Sequence, residues 1–480
     1  MPVNPPVTVN YPDFSSRLAN AIIFPDTTAY PPISTVQVET RFNSDTLTTV
    51  PSVSTTYVYR KTALLVSDIS TAESNSSPFG DNASLDAFGR LRVSAPATLF
   101  DGKQQYSKMP WLYDEVTYGS ASSIHVPGDS CVLMSTAASG DYVVRQTTAR
   151  FNYQPGKSQV AVFTGTFSKE TNIIKRVGQF QSLSAAPYTP TDGIFLEVTG
   201  TDVTLNILKS TGVTNTEVVS QSAWNVDPLD GTGPSGLSLD WTKAQIFHMD
   251  YEWLGVGRVR CGFYVAGKLY IAHQFTHFNS VVAPYITSPN QPIRYEIRQV
   301  GPGSGSMRHI CSASISEGVS DTVGTNITAD LSGAILSVDT SYRPIIAVRI
   351  APGAANLALR LSDVQMFNTG TRNIQYRVWL NPTVTGGNLN WLPAGETGLE
   401  KVEFAYGNAT LSLSGGYTLY SSFLASGQGV AVSQSSNIFL ADLGRLGIKI
   451  NGTPDIMVIA ARALTSTTDL WASVNMLLQG

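Results

Sequence analysis

The sequence predicts an all-β protein: an extended N-terminal arm followed by two β-sandwich domains. Three observations carry this reading. Short runs rich in β-branched and aromatic residues recur at roughly 10-residue spacing and are bounded by Gly, Pro, Asn and Asp. Long capped amphipathic helical patterns are absent. Only 14 % of the 480 residues are charged, against roughly 25 % in an average globular protein. Hydrophobic content is nevertheless 42 %, enough to build cores rather than a disordered chain.

The first 60 residues differ from the rest. Pro2, Pro5, Pro6, Pro12, Pro25, Pro31 and Pro32 crowd the start, and charge there is sparse. Proline fixes φ and removes a backbone donor, so this stretch favours extended backbone. Ser15–Ile23 carries Leu18, Ile22 and Ile23 at a spacing that predicts about two helical turns. Tyr11, Phe14, Ile22, Ile23, Phe24 and Tyr30 are more apolar side chains than a solvated tail carries. Residues 1–60 are therefore expected to be an arm that buries these side chains on a neighbouring subunit. Residues 61–97 are expected to be a β linker, and a strand is predicted across its start at Val58–Val66.

Strands are predicted next at Gln159–Phe167, Gly193–Val198 and Val203–Leu208, within a central domain over 98–318. A small, polar stretch from Gly318 to Gly333 then marks a boundary. Strands at Ile345–Ile350, Ile374–Leu380 and Ile456–Ala461 belong to a C-terminal domain over 330–480.

Charge and motifs narrow the function. The net charge of −4 lacks the basic stripe of a nucleic-acid binder. No apolar run approaches the ~18 residues of a membrane span. Met1–Asn10 shows no basic stretch followed by an apolar one, which predicts assembly in a cytoplasm. Cys131, Cys261 and Cys311 are an odd, widely spaced set that indicates neither a zinc ribbon nor a disulfide scaffold. Gly231-Thr-Gly-Pro-Ser-Gly236 matches a dinucleotide fingerprint only formally, because Pro234 sits inside it and no helix follows. His273 and His277 would stand ~13 Å apart on a strand, too far for one ion. No cofactor and no metal are expected.

Gln245–Phe275 carries the richest pattern, three consecutive strands. Phe247, Met249 and Tyr251 alternate with His248, Asp250 and Glu252; Val259, Cys261 and Phe263 alternate with Arg258 and Arg260. A three-residue loop at Gly255–Gly257 and a two-residue turn at Ala266–Gly267 would place Glu252 opposite Arg260, and Arg260 opposite His273. One face is then core. The other, with His248, Asp250, Glu252, Arg258, Arg260 and His273, is a solvated cross-strand ion row. Asp250 and Glu252 point the same way about 7 Å apart, and paired carboxylates can hydrolyse glycosides. His248-x-Asp250-x-Glu252 looks like the Glu-x-Asp-x-Glu strand of laminarinase-like hydrolases on a concanavalin-like or jelly-roll-like sandwich. His stands where those enzymes have their nucleophilic Glu, which leaves a structural ion row as the stronger reading. Tyr406, Tyr417 and Tyr420, near Gly415-Gly416, are candidate sugar-stacking rings or half-buried strand positions.

Several stretches are distinctive together: Leu85-Asp-Ala-Phe-Gly-Arg-Leu-Arg-Val-Ser94, Phe151-Asn-Tyr-Gln-Pro-Gly-Lys-Ser158, Leu229-Asp-Gly-Thr-Gly-Pro-Ser-Gly236, Glu252-Trp-Leu-Gly-Val-Gly-Arg-Val-Arg260 and Ser288-Pro-Asn-Gln-Pro-Ile-Arg-Tyr-Glu296. Over roughly residues 85–320 the chain resembles a family of uncharacterised virion structural proteins of tailed bacteriophages and some large aquatic viruses. The resemblance implies a non-enzymatic role in a virus particle, as a fibre, spike or decoration subunit on tail or head. The apolar arm and the low charge predict a homo-oligomer joined to other virion proteins through residues 1–60; the resemblance makes a trimer the expected number, with contact to host-surface glycans as a further expectation. The alternatives are a concanavalin-like glycan-degrading enzyme using Asp250 and Glu252, or a carbohydrate-binding module.

Overall fold

The computed structural model describes residues 7–9, 21–23, 86, 96–210, 214–318, 324–331, 336–394, 401–433 and 445–479. The chain forms two compact units, Met1–Asn82 and Ala83–Gly480. In the first, Val7–Val9 pairs antiparallel with Ala21–Ile23. The helical turns expected over Ser15–Ile23 are therefore wrong at their C-terminal end. Ala21, Ile22 and Ile23 are a strand, as the β-branched pair Ile22-Ile23 favours once a partner strand is at hand. The strand expected at Val58–Val66 lies outside the described residues.

The second unit is all-β. Its described elements are antiparallel strands and two single 3-10 turns, Pro127–Asp129 and Gln221–Ala223. The expected strands appear at Gln159–Thr166, Pro190–Val198, Val203–Ser210, Arg343–Ile350, Ile374–Leu380 and Ile456–Ala463. Two sheets built from Ala97–Lys103 to Gly305–Ser316 face one another as a central sandwich. One runs, across its width, Thr214–Ser220, Val203–Ser210, Pro190–Val198, Ile173–Ser182, Ile293–Gln299, Tyr142–Thr147, Tyr113–Tyr118. The other runs Lys268–Thr276, Arg258–Val265, Ala244–Tyr251, Gln159–Thr166, Gly305–Ser316, Cys131–Thr136, Ser122–Val126, with Ala97–Lys103 also paired to Gly305–Ser316.

Alternation puts the apolar side chains of both sheets into one core. Phe163 stacks on Phe247 within its own sheet at 5.8 Å and meets Tyr295 of the opposite sheet edge-on at 6.2 Å. Tyr295 in turn stacks on His309 at 3.8 Å and donates its hydroxyl to the Cys311 carbonyl at 2.8 Å. A second pair of sheets, from Thr325–Asp330 to Thr468–Gln479, forms a C-terminal sandwich around Ile346, Leu361, Tyr376, Ile459 and Met476.

The two sandwiches touch through residues 447–455. Ile450 packs on Tyr142 and Val144. Its N–H donates to Asp114 Oδ2 at 2.8 Å, and the Ile448 N–H donates to the Thr148 carbonyl at 3.2 Å. Gly447 permits this approach, because a Cβ there would overlap the Thr148 carbonyl oxygen.

Candidate functional site

Ala244–Tyr251, Arg258–Val265 and Lys268–Thr276 are the three consecutive strands expected, and the Ala266-Gly267 turn has both residues at positive φ, as a two-residue hairpin requires. Phe247, Met249, Tyr251, Val259, Cys261 and Phe263 all face the core. The pairing across the strands differs from expectation in two ways. Asp250, not Glu252, sits opposite Arg260, and Glu252 closes on Arg258 through a 3.0 Å bond to its carbonyl. The reason is the loop, which runs from Trp253 to Gly257. Trp253 leaves the strand, takes the Tyr153 hydroxyl as acceptor for its N–H at 3.0 Å, and donates Nε1 to the Ile286 carbonyl at 3.2 Å.

His273 is the second difference. It registers with Cys261, and Gln274 takes the position opposite Arg260. An extra residue, Ala272, bulges between Gly262 and Cys261, and a one-residue shift moves a side chain to the other face. His273 thus leaves the ion row. Its Nδ1 accepts the Asn225 N–H at 3.1 Å, and its ring meets Phe275 edge-on at 4.4 Å. Burial lowers its pKa to about 4, so it is neutral near pH 7.

Nor is the middle of the polar face solvated. Asp250 and Arg260 are 0 % exposed, and they form a two-pronged pair: Nε to Oδ1 at 2.9 Å and Nη2 to Oδ2 at 2.5 Å. His248, also buried, brings Nε2 to 3.7 Å from Asp250 Oδ2 and lies edge-on to Tyr264. Burial alone would raise the Asp250 carboxyl. Arg260 and His248 outweigh it and hold the group far below the ordinary carboxylate range. Glu252 goes the other way, raised by burial against the pull of the Arg258 N–H, at 3.0 Å from Oε1, and of the Arg258 charge. Two carboxylates pushed apart in pKa are what acid–base chemistry uses. Here, however, the ionised member is enclosed by a guanidinium and shielded from any substrate.

A larger charge cluster lies outside the polar strand face that the sequence pattern predicts. On the outward face of the other sheet, Glu296 is fully buried among three arginines. It accepts from Arg294 Nη2 at 2.7 Å, from Arg176 Nη1 at 2.6 Å and from Arg298 Nε. Arg176 also reaches Glu197 at 2.5 Å. Burial would raise Glu296, but Arg294, Arg176 and Arg298 together bring it down to about 2. Arg294 further donates to Gln146, Ser182 and the Tyr188 carbonyl, tying the 183–189 loop to the sheet. The signal was present as the alternation Arg294-x-Glu296-x-Arg298 through an otherwise apolar strand.

The remaining motifs make contacts within the chain. Ser288–Glu296 is pinned by buried Asp192, which accepts from the Thr287 and Ser288 N–H groups and from Gln291 Nε2. The Gly231–Gly236 segment is a loop held by Asp227 through the Leu229 and Ser235 N–H groups. His277 bonds the Gly257 carbonyl and Glu217 and stacks on Tyr285 at 4.2 Å. Tyr417 meets Trp111 edge-on, Tyr420 packs on Tyr376, and Tyr406 ends the Val402–Tyr406 strand part-exposed. Among the described residues, no group of three or more His, Cys, Asp or Glu is gathered as a metal site would need.

One surface stands out by exposure. The 253–257 and 277–285 loops touch through the Tyr285 N–H and the Gly255 carbonyl at 2.9 Å. They present Leu254, Val256, Phe278, Val281 and Val282 to solvent, Phe278 being 65 % exposed.

No family model and no curated protein matches the chain. Among solved structures it is similar to a Bacillus licheniformis beta-glucanase (13 % identity, TM-score 0.31, 45 % of this chain and 97 % of that one). It is also similar to the carbohydrate recognition domain of Emp47p (12 %, 0.30, 47 % and 97 %) and to a legume lectin-like domain from Entamoeba histolytica (10 %, 0.29, 45 % and 96 %). The all-β sandwich class rests on the sheets described above.

Proposed function

We propose that the chain is a structural component of a tailed-phage virion, a fibre, spike or decoration subunit without catalytic activity. It closes into a homo-oligomer, most simply a trimer. It joins other virion proteins through residues 1–60, and its sandwiches reach host-surface glycans. The observation that carries this reading is the disposition of charge and apolar surface. The central sandwich holds two sets of ionisable groups in buried networks, Asp250 with Arg260 and Glu296 with three arginines, while its loop tip exposes five apolar side chains. Enzymes leave perturbed groups open to a cleft; assembling subunits leave apolar patches for a partner. The charge-poor sequence of the tip, with no Asp, Glu, Lys or Arg between His277 and Ser288, suits a permanent contact with another copy of the chain. The family resemblance over residues 85–320 supports the same role.

The test compares two variants for incorporation into particles and for cleavage of host polysaccharide. Deletion of residues 1–60 should leave the part beyond residue 98 folded and abolish incorporation. Glu252→Gln should change neither. Normal incorporation of the deletion would refute anchoring by the arm, and a hydrolytic activity lost in Glu252→Gln would establish the enzyme instead.

A further inference from the structure

In the C-terminal sandwich, Ile374–Leu380 turns Ile374, Tyr376 and Val378 into the core and Gln375, Arg377 and Trp379 to the outer face of its sheet. Tyr342, just before Arg343–Ile350, packs on that outer face, and its ring meets Trp379 edge-on at 5.5 Å. The Arg377 guanidinium carbon stands 4.3 Å from the Tyr342 ring centroid. That of Arg462, on the neighbouring strand Ile456–Ala463, stands 4.9 Å from it. Two cations thus rest on one phenol ring. Arg349, on the same face, lies over Trp391 at 4.1 Å but is also paired with Glu403 at 2.6 Å. Among the described residues, neither Arg377 nor Arg462 has such a carboxylate. Arg462 gives Nε and Nη2 to the neutral Gln375 Oε1 at 3.1 and 2.9 Å. The Arg377 Nε and the Tyr342 hydroxyl are buried with no hydrogen-bond partner. Asp339, near in sequence to Tyr342, is taken by Arg343.

A cation–π contact offsets part of the charge but uses none of the guanidinium N–H groups. Arg377 keeps its terminal fork, Nη1 and Nη2, and Arg462 keeps Nη1. A carboxylate matches such a fork through two parallel charge-assisted bonds. Beside it, the edge strand Tyr417–Leu424 places Ser421 opposite Arg377 and Phe423 opposite Gln375. Phe423 is 63 % exposed. It stands diagonal to Arg377, about 7–8 Å away across the strands, the span of one sugar ring with its carboxylate. An aromatic ring covers the apolar side of a sugar, and Gln375 and Ser421 are neutral partners for its hydroxyls. We propose that this face binds an acidic sugar, a uronic or sialic acid residue of a glycan, with its carboxylate on Arg377 and Arg462 and its ring against Phe423. It is the place at which a virion subunit meets its host glycan, and in that respect it rests on the virion reading.

The experiment titrates the full chain by calorimetry with sialyllactose and with trigalacturonate. Lactose, the methyl ester of trigalacturonate and inorganic phosphate are run in parallel. The expected result is saturable binding of at least one acidic sugar, with lactose and the methyl ester silent. Arg377→Gln should weaken that binding by about tenfold or more, and Arg377→Lys should not restore it, because lysine has the charge without the fork. If these variants do not fold, Phe423→Ala, at an exposed position, carries the test and should weaken binding severalfold. Failure of both acidic sugars to bind would overturn the proposal. So would equal binding of the methyl ester, phosphate bound as tightly as the sugar, or an affinity unchanged by the substitutions. Incorporation of the chain into particles is scored beside it. Normal incorporation without acidic-sugar binding overturns this site and leaves the virion role standing; Arg377-dependent binding by a chain absent from particles does the reverse.

Discussion

Asp250 and Glu252 stand two residues apart on one strand and have opposite fates. Asp250 is enclosed with Arg260, and removing one partner of a buried pair strands the other charge. Asp250→Asn should therefore destabilise the chain by about 3–5 kcal/mol in denaturant unfolding. Glu252 is half-buried, and glutamine keeps the oxygen that accepts the Arg258 N–H, so Glu252→Gln should change stability by less than about 1 kcal/mol. The alternation of residues was enough to sort Phe247, Met249 and Tyr251 from His248, Asp250 and Glu252. It could not foresee Trp253 turning out of its strand or Ala272 bulging, because both follow from contacts with Tyr153, Ile286 and Asn225, distant in sequence. An exposed ion row, with each pair contributing ~0–1 kcal/mol, was the natural reading of the sequence; burial makes the same pair consequential. Glu296 shows the limit again. Arg294 and Arg298 are its sequence neighbours, but Arg176 reaches it only because Ile173–Ser182 pairs with Ile293–Gln299.

At the level of elements, strands whose β-branched composition agreed with their final environment were legible, Ile374–Leu380 to the residue. Ala21–Ile23 was not, since a three-residue strand depends wholly on its partner. The joint between sandwiches was equally hidden: Leu446, Ile448 and Ile450 alternate as in any short half-buried strand, and the sequence does not say that Ile450 packs on Tyr142 and Val144 of the other sandwich. Its close approach makes a sharp prediction. Gly447→Ala must displace the loop from the Thr148 carbonyl, and overpacking of this kind costs about 1–3 kcal/mol. The expected outcome in a thermal melt is a lowered midpoint together with faster amide exchange at Ile448 and Ile450. Unchanged exchange there would mean that the loop does not bind the two sandwiches together.

Over the whole molecule, pH separates the two kinds of buried carboxylate. Glu296 has its folded pKa depressed from 4.5 to about 2. Its contribution is complete above about 4.5 and is lost as pH falls towards 2, on the order of 3 kcal/mol. Asp114 and Asp455, at the joint, are raised above 3.8 mainly by burial. Their penalty applies above the raised values and is relieved as pH falls towards 3.8, so mild acid should firm the joint before stronger acid opens the Glu296 network. Stability measured against pH should thus rise slightly in weak acid and fall steeply below about 4.5. At the loop tip, Phe278→Asp with Val282→Asp should lower the oligomeric mass in light scattering without altering the unfolding midpoint of the subunit, if those side chains meet another copy. The central claim is that the chain is built into a virus particle. Antibody labelling of purified, intact particles in the electron microscope tests it most directly. The expected result is label at a fixed place on every particle, in constant copy number. Antigen confined to the particle-free fraction, with unlabelled particles, would contradict it.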